Sequence, residues 1–93
     1  MKMQSIITKY IAPSYLRGAR LSVYATGGCR MMLAWRGDLT ADENHREGAR
    51  VFARTYSWWG SWIAGAYNDK GALIWVCISK LTADESFTVE AVL

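Results

Sequence analysis

Few residues in this sequence are of the types that carry catalytic or metal chemistry. His45 is the single histidine, and the two cysteines, Cys29 and Cys77, lie far from it and from each other in the chain. A zinc site or a hydrolytic site needs several such side chains, or a local motif such as a nucleophile elbow. We therefore expect His45 to be a packed, hydrogen-bonded residue. We also expect no catalytic residues, no metal site, no cofactor and no enzymatic activity.

Arginine is the first residue type whose spacing indicates a binding surface. Arg46, Arg50 and Arg54 recur every four residues in a segment predicted to be helical, so they should lie along one helical edge. Guanidinium groups form paired hydrogen bonds with carboxylates and phosphates, which suits an acidic protein or a nucleic acid. The interleaved acidic residues leave an ordinary solvated helix surface as the alternative. Further arginines from predicted strands and turns are candidates to extend the row: Arg17, Arg20, Arg30 and Arg36.

Tryptophan is the second such residue type. The chain contains five tryptophans, and a small domain can hardly bury them all because tryptophan is seldom fully buried. Trp58 and Trp59 are adjacent and cannot both point into the core, so we expect Trp59 to be the more exposed. Exposed tryptophan and tyrosine anchor protein interfaces and stack on bases. The candidate binding residues are therefore Arg46, Arg50, Arg54, Trp59, Arg17, Arg20 and Tyr24.

Composition and length predict a single small domain. The chain has 93 residues, of which 52% are hydrophobic and 13% aromatic. A chain of this length is near the lower end of the size range of one domain. Its apolar content is sufficient for a core that needs no disulfide or metal. We predict one domain over residues 1–93, in which 80–93 form a C-terminal extension.

Cysteine content and charge bear on the location of the chain. Two separated cysteines are too few for a disulfide-dependent secreted domain, so we expect reduced thiols in a reducing compartment. The sequence shows neither a signal peptide nor an apolar run long enough to cross a bilayer. These features predict a cytoplasmic protein without a membrane partner. A net charge of +3 is mildly basic and does not by itself identify a nucleic-acid-binding protein.

The elements that position these residues follow from periodicity and turn signals. Residues 4–11 are β-branched and aromatic, and indicate a strand that ends before Pro13. Residues 20–25 alternate apolar and polar side chains, as in a strand with one buried face. The Gly27–Gly28 pair is a turn signal, and residues 29–35 follow it as a third strand. The first half of the chain is therefore predicted to form three antiparallel strands.

A change of period from Leu39 onward indicates a helix. Thr40 and Glu43 have the spacing of a capping box, in which each side chain bonds the other residue's backbone N–H. Gly48 lies on the predicted inner face, where it indicates a close approach of the helix to the sheet. The residues predicted to face inward recur at steps of three and four: His45, Gly48, Ala49, Phe52, Ala53 and Tyr56.

Two more strands are predicted after the helix. Residues 63–67 and 72–79 flank a turn, and the second run is apolar on both faces, which favours the interior of a sheet. The order β-β-β-α-β-β predicts an α+β fold. We expect an antiparallel sheet of about five strands with one amphipathic helix packed on one face and the other face partly bare.

A further sequence pattern extends over both halves of the chain. From Thr8 to Arg20 the sequence reads TKYxxPxxxRGxR, and Asn44–His45 and an apolar strand at 74–77 follow later. In these features the chain resembles a group of small phage and prophage proteins, over residues 5–79. It departs from that group in the methionine pair and tryptophan of the third strand and in its C-terminal tail.

The resemblance implies a mobile genetic element acting inside a bacterium. Small phage proteins of this size often bind and block host machinery, and anti-CRISPR and other anti-defence inhibitors are among them. The leading hypothesis is a protein that binds and modulates or inhibits a host protein complex, with a defence nuclease complex as one candidate. The alternative is a small nucleic-acid-binding accessory protein that uses the helical arginines and exposed aromatics. A third hypothesis is a homodimer formed through the bare sheet face.

Overall fold

The computed structural model describes residues 5–68 and 71–78. Gln4 and Ser79, at the ends of two predicted strands, and the predicted extension 80–93 lie outside the described residues. The described chain forms five strands and one helix in the order β-β-β-α-β-β, which confirms the predicted α+β class. The elements are β1 Ser5–Ile11, β2 Arg20–Ala25, β3 Arg30–Ala34, α1 Ala41–Thr55, β4 Trp62–Asn68 and β5 Ala72–Cys77.

The strands form one antiparallel sheet in the order β3-β2-β1-β5-β4. The central strand is β1, which pairs with β2 on one side and with β5 on the other. The prediction that the apolar strand after the turn lies inside the sheet is confirmed, because β5 is enclosed by β1 and β4. The edges of the described sheet are β3 and β4.

The core lies between α1 and one face of the sheet. Alternation along β2 directs Leu21 and Val23 toward the helix, and Ile6 of β1 lies on the same face. Phe52 of α1 is fully buried against them. The remaining buried members of this cluster are Ala25, Ala49, Ala53 and Trp75.

The helix begins where the sequence predicts. Thr40 is the N-cap: its hydroxyl accepts a hydrogen bond from the Glu43 backbone N–H at 3.2 Å, and the Glu43 carboxylate accepts one from the Thr40 N–H at 2.9 Å. At the other end the prediction for Tyr56 is wrong. Tyr56 is the C-cap and 38% exposed, because the helix ends there and its ring lies beside Phe52 at the rim of the core.

Gly48 confirms the predicted close approach of the helix to the sheet. A Cβ atom at this position would overlap with Cδ2 of Leu21 and would lie 3.3 Å from Cγ2 of Val23. Only a residue without a side chain lets α1 come this close to β2 without movement of the core. The helix axis is thereby fixed over β1 and β2.

The helix α1 is too narrow to cover all five strands of the described sheet. A helix is about 10 Å wide, whereas neighbouring strands are about 4.8 Å apart, so α1 covers little more than two strands. It packs on β1 and β2. On the same face, beyond the edge of the helix, β5 carries Trp75 and β4 carries Trp62. Trp62 lies on this face because Ala64, two residues along β4, is paired with Trp75. This arrangement leaves an open region between the helix and the last two strands.

Candidate functional site

A cleft of about 350 Å³ lies between one edge of α1 and the strands β5 and β4. This volume falls within the range of roughly 300–1,000 Å³ that is typical of ligand-binding pockets. We call it the Arg–Trp cleft. Its lining residues are Arg46, Ala49, Arg50, Ala53, Arg54, Trp58, Trp59, Gly60, Trp62 and Trp75.

The helical wall of the Arg–Trp cleft carries the three arginines at four-residue spacing. Arg50 is held by Glu47, through Nη2–Oε1 at 2.5 Å and Nε–Oε2 at 3.1 Å. This hydrogen-bonded pairing lowers the pKa of Glu47 and raises that of Arg50. Within the described part of the chain, no carboxylate lies within ion-pair distance of Arg46 or Arg54. Two exposed guanidinium groups are therefore free to bind an anionic group, and a third is already oriented.

The floor of the Arg–Trp cleft is aromatic. Trp58 is half-buried and stacks on Trp62, with ring centroids 6.4 Å apart and an interplanar angle of 19°. Trp75 is buried, and its indole Nε1 donates a hydrogen bond to the Thr8 hydroxyl at 3.1 Å. Trp59 is 69% exposed, which confirms the prediction that it is the more exposed of the adjacent pair. It is the one tryptophan of the cleft whose ring is mostly open to a ligand.

The end of α1 determines which of the two adjacent tryptophans points inward. Ser57 adopts a left-handed conformation, with φ of 59°. Its N–H bonds the carbonyl of Arg54 at 3.1 Å, and the Trp58 N–H bonds the carbonyl of Ala53 at 2.7 Å. These two bonds form a Schellman motif, in which the residue after the left-handed position packs back on the last helical turn. Trp58 packs in this way against Phe52, at a centroid distance of 5.6 Å. The next residue, Trp59, therefore points outward.

Beneath the cleft, a buried hydrogen-bond network joins the helix to the sheet. Thr8 Oγ1 lies 2.7 Å from His45 Nδ1. An indole N–H can only donate, so the Thr8 hydroxyl accepts from Trp75, and its own proton is available for His45 Nδ1. Burial lowers the pKa of His45, against smaller opposing effects of Asp42 and Thr8. This confirms the prediction of a packed, hydrogen-bonded histidine.

Asn44, the neighbour of His45 in the sequence pattern, also has a structural role. Its Oδ1 accepts a hydrogen bond from the Arg36 N–H at 2.9 Å, and its Nδ2 donates to the carbonyls of Arg36 at 2.9 Å and Thr40 at 3.0 Å. These bonds fasten the β3–α1 connection to the first turn of the helix. The sequence reasoning missed this role, because a buried asparagine in a helix has no distinctive local signal.

The structure does not bring the remaining candidate residues to the Arg–Trp cleft. Arg17 lies in the exposed connection between β1 and β2. Arg20 and Tyr24 alternate with the core residues of β2 and so occupy the opposite face of the sheet. There the guanidinium of Arg30 lies 5.1 Å from the centre of the Tyr24 ring. The expected extension of the arginine row by strand residues is therefore wrong for Arg20 and Arg30.

Arg36 does not extend the row either. Its guanidinium pairs with Asp38 at 2.8 Å, an exposed interaction that lowers the pKa of Asp38. It borders a second groove, of about 310 Å³, along the opposite edge of α1. Glu47 and Val51 line this groove from the helix, so its wall lacks the arginine row.

Residues 5–68 and 71–78 contain no cluster of three or more His, Cys, Asp and Glu side chains that could hold a metal ion. In the same part of the chain, no helix is sufficiently long and apolar to cross a membrane. No protein-family model matches the sequence, and no curated protein or solved structure is significantly similar to it.

Proposed function

We propose that this protein is a binding protein rather than an enzyme, and that the Arg–Trp cleft recognises an extended acidic segment of a partner protein. The observation that carries the proposal is the meeting of Arg46 and Arg54, which have no ion-pair partner in the described chain, with the exposed Trp59 in one cleft. Arginine and tryptophan are the residues most often responsible for binding energy at protein interfaces.

The spacing of the arginines favours an extended peptide. Residues four apart in a helix are displaced by about 6 Å along its axis. In an extended peptide, side chains on one side recur about every 6.6 Å. Carboxylates at alternate positions of such a peptide could therefore meet successive guanidinium groups. The intervening side chains would then point away from the helix, toward the tryptophan floor.

The charge of the helix favours a protein partner over a nucleic acid. Glu47 occupies part of the Arg50 fork, and Asp42 and Glu43 are exposed on the same helix. These carboxylates would repel the regularly spaced charges of a phosphate chain, whereas a peptide can carry its carboxylates only at the positions that face the arginines. The net charge of the protein is also only +3. Single-stranded nucleic acid is the second candidate, because Trp59 beside two free arginines also provides a stacking platform next to phosphate ligands.

The resemblance to small phage and prophage proteins supplies a biological setting for this proposal. In that setting the partner belongs to a host protein complex, with a defence nuclease complex as one candidate. Occupation of an acidic segment by the Arg–Trp cleft would block the complex sterically or electrostatically, as an anti-CRISPR or other anti-defence inhibitor does. Nuclease assays with purified complexes, in the presence and absence of the protein, test this setting separately from the cleft.

The cleft is tested by fluorescence anisotropy with two labelled probes. One is a short peptide in which glutamate alternates with leucine and phenylalanine, and the other is a single-stranded oligothymidylate. We expect the peptide to bind, and the Arg46→Glu/Arg54→Glu variant to bind it at least about tenfold more weakly, which corresponds to about 1.4 kcal/mol. Arg17→Glu/Arg30→Glu reverses the same number of charges outside the cleft, so it is the matched control and should change affinity less than about twofold.

The two probes distinguish the candidates. Binding of the oligonucleotide alone, with affinity that falls steeply between about 50 and 200 mM salt, would favour the nucleic-acid function. Equal affinity of the wild type and the double reversal for whichever probe binds would show that the Arg–Trp cleft is not the recognition surface. Failure of both probes to bind would count against the proposed chemistry of the partner.

A further inference from the structure

Among the residues that the structure describes, β4 is an edge strand without the features that usually prevent edge strands from pairing. It lies at one end of the described sheet, and the sequence from Thr55 to Asn68 contains no charged residue and no proline. Natural proteins usually protect such an edge with lysine, proline or a covering element. Instead, Ile63 is 55% exposed and Tyr67 is 47% exposed. The opposite edge strand, β3, is shorter and carries the charged Arg30.

The backbone groups that face the open edge can be identified from the ladder with β5. The Ile78 N–H bonds the carbonyl of Ser61 at 2.8 Å, which places these residues at a hydrogen-bonding position of the ladder. Hydrogen-bonded pairs alternate along an antiparallel ladder, which turns the polar groups of Ile63 and Gly65 toward β5. The N–H and C=O groups directed to the open edge are those of Trp62, Ala64 and Ala66.

The sequence of β4 is complementary to itself in this register. If a second β4 pairs antiparallel about Ala64, the outward groups of both strands meet as hydrogen-bonded pairs. Trp62 then lies opposite Ala66 of the second copy, and Ile63 lies opposite Gly65 of the second copy. Each large side chain thus meets a small one on each face of the sheet. The absence of charge in β4 also removes the like-charge repulsion that would oppose pairing of identical strands.

We propose that β4 pairs with β4 of a second copy of this chain, which gives a symmetric dimer with one continuous sheet. The two-fold axis would pass through Ala64, perpendicular to the sheet. Both helices would then lie on the same face, and the Arg–Trp clefts of the two copies would open toward each other across the paired strands. This interface differs from the bare sheet face considered from the sequence. It does not depend on the proposed function, because pairing requires only the edge of β4.

Sedimentation velocity and light scattering of the full chain test the dimer. The wild type should have twice the mass of one chain at high micromolar concentration. Ala64→Pro removes one outward N–H without removing a hydrogen bond to β5, so it should give a monomer with unchanged circular dichroism. Ala64→Lys places two like charges at the two-fold axis and should also give a monomer. This second variant keeps the test valid if proline perturbs the strand. Met32→Lys, on the opposite edge strand, is the matched control and should remain a dimer.

A wild-type chain that stays monomeric at high micromolar concentration would overturn the proposal. So would a dimer that persists in Ala64→Pro and Ala64→Lys, or one that dissociates only in Met32→Lys. Loss of peptide binding with the dimer intact would concern the Arg–Trp cleft alone, so the two proposals can fail separately.

Discussion

The hydrogen bonds among Thr8, His45 and Trp75 join β1, α1 and β5 across the core. One hydroxyl serves two buried partners, since it accepts from the Trp75 indole and can donate to the histidine. Leaving either partner without a hydrogen bond would cost about 1–3 kcal/mol, so each end of the network constrains the others. Two residues of the sequence pattern described above, Thr8 in the first strand and His45 in the helix, meet in this network and have a structural role there.

The lowered pKa of His45 predicts a pH dependence of stability. Burial is its main cause, so the unfolded chain binds a proton more readily than the folded chain between the folded pKa and the usual value of about 6.5. The stability that the neutral histidine contributes is therefore fully present above about pH 6.5 and is lost as the pH falls toward the folded pKa. Urea denaturation midpoints should decrease accordingly from pH 7.5 to pH 5.

His45→Asn is the control for this prediction. An asparagine oxygen can accept a hydrogen bond near the position of Nδ1 but takes up no proton in this range. The variant should lose the slope of stability between pH 5 and 7, whatever its stability at neutral pH. An unchanged slope in His45→Asn would show that another group is responsible.

The sequence indicated that His45 is packed, because a single histidine has no neighbouring residues with which to form a catalytic or metal site. It could not indicate which residues bond it. Thr8 lies 37 residues away, and the bond exists because β1 is the central strand beneath the helix. Such long-range contacts depend on strand order, and local spacing carries no information about them.

The two ends of α1 differ in how far their structure could be predicted from the sequence. The N-terminus was predicted in detail, because the capping box depends only on Thr40 and Glu43 at fixed spacing. The C-terminal Schellman motif was not predicted, since its left-handed position holds Ser57 in place of the usual glycine. The outward direction of Trp59 follows from this motif. The adjacency of Trp58 and Trp59 predicted that one of them is exposed, but not that the end of the helix determines which one.

Ser57→Gly should therefore stabilise the protein. A side chain in the left-handed region costs about 1–2 kcal/mol, part of which glycine recovers while it loses more entropy on folding. We expect the free energy of unfolding to rise by about 0.5–1 kcal/mol, measured by chemical denaturation. Ser57→Ala keeps the Cβ atom and should not stabilise the protein. If alanine stabilised it as much as glycine does, the strain at this position would not be the cause.

In residues 5–68 and 71–78, the mismatch between one helix and a five-stranded sheet creates the Arg–Trp cleft. The spacing of Arg46, Arg50 and Arg54 placed them on one helical edge, but no local pattern indicates what that edge faces. The order β1-β5-β4 places the tryptophans of the last two strands beside it. Alternation along β2 was visible in the sequence, and it separates Arg20 and Tyr24 from the helix side.

The five tryptophans offer a direct test of the Arg–Trp cleft. Trp35 packs against Tyr10 and His45, at centroid distances of 4.7 and 5.9 Å, and does not line the cleft, so it serves as an internal reference. The measurement is an NMR titration of the ¹⁵N-labelled protein with the alternating glutamate peptide, followed through the indole N–H signals. The indoles expected to respond are Trp58, Trp59 and Trp62.

We expect the largest shift at Trp59, smaller shifts at Trp58 and Trp62, which stack on each other, and none at Trp35. The same titration of Arg46→Glu/Arg54→Glu should leave all of these signals in place. Binding of the peptide with a shift at Trp35 and none at Trp59 would show that the Arg–Trp cleft is not the recognition surface.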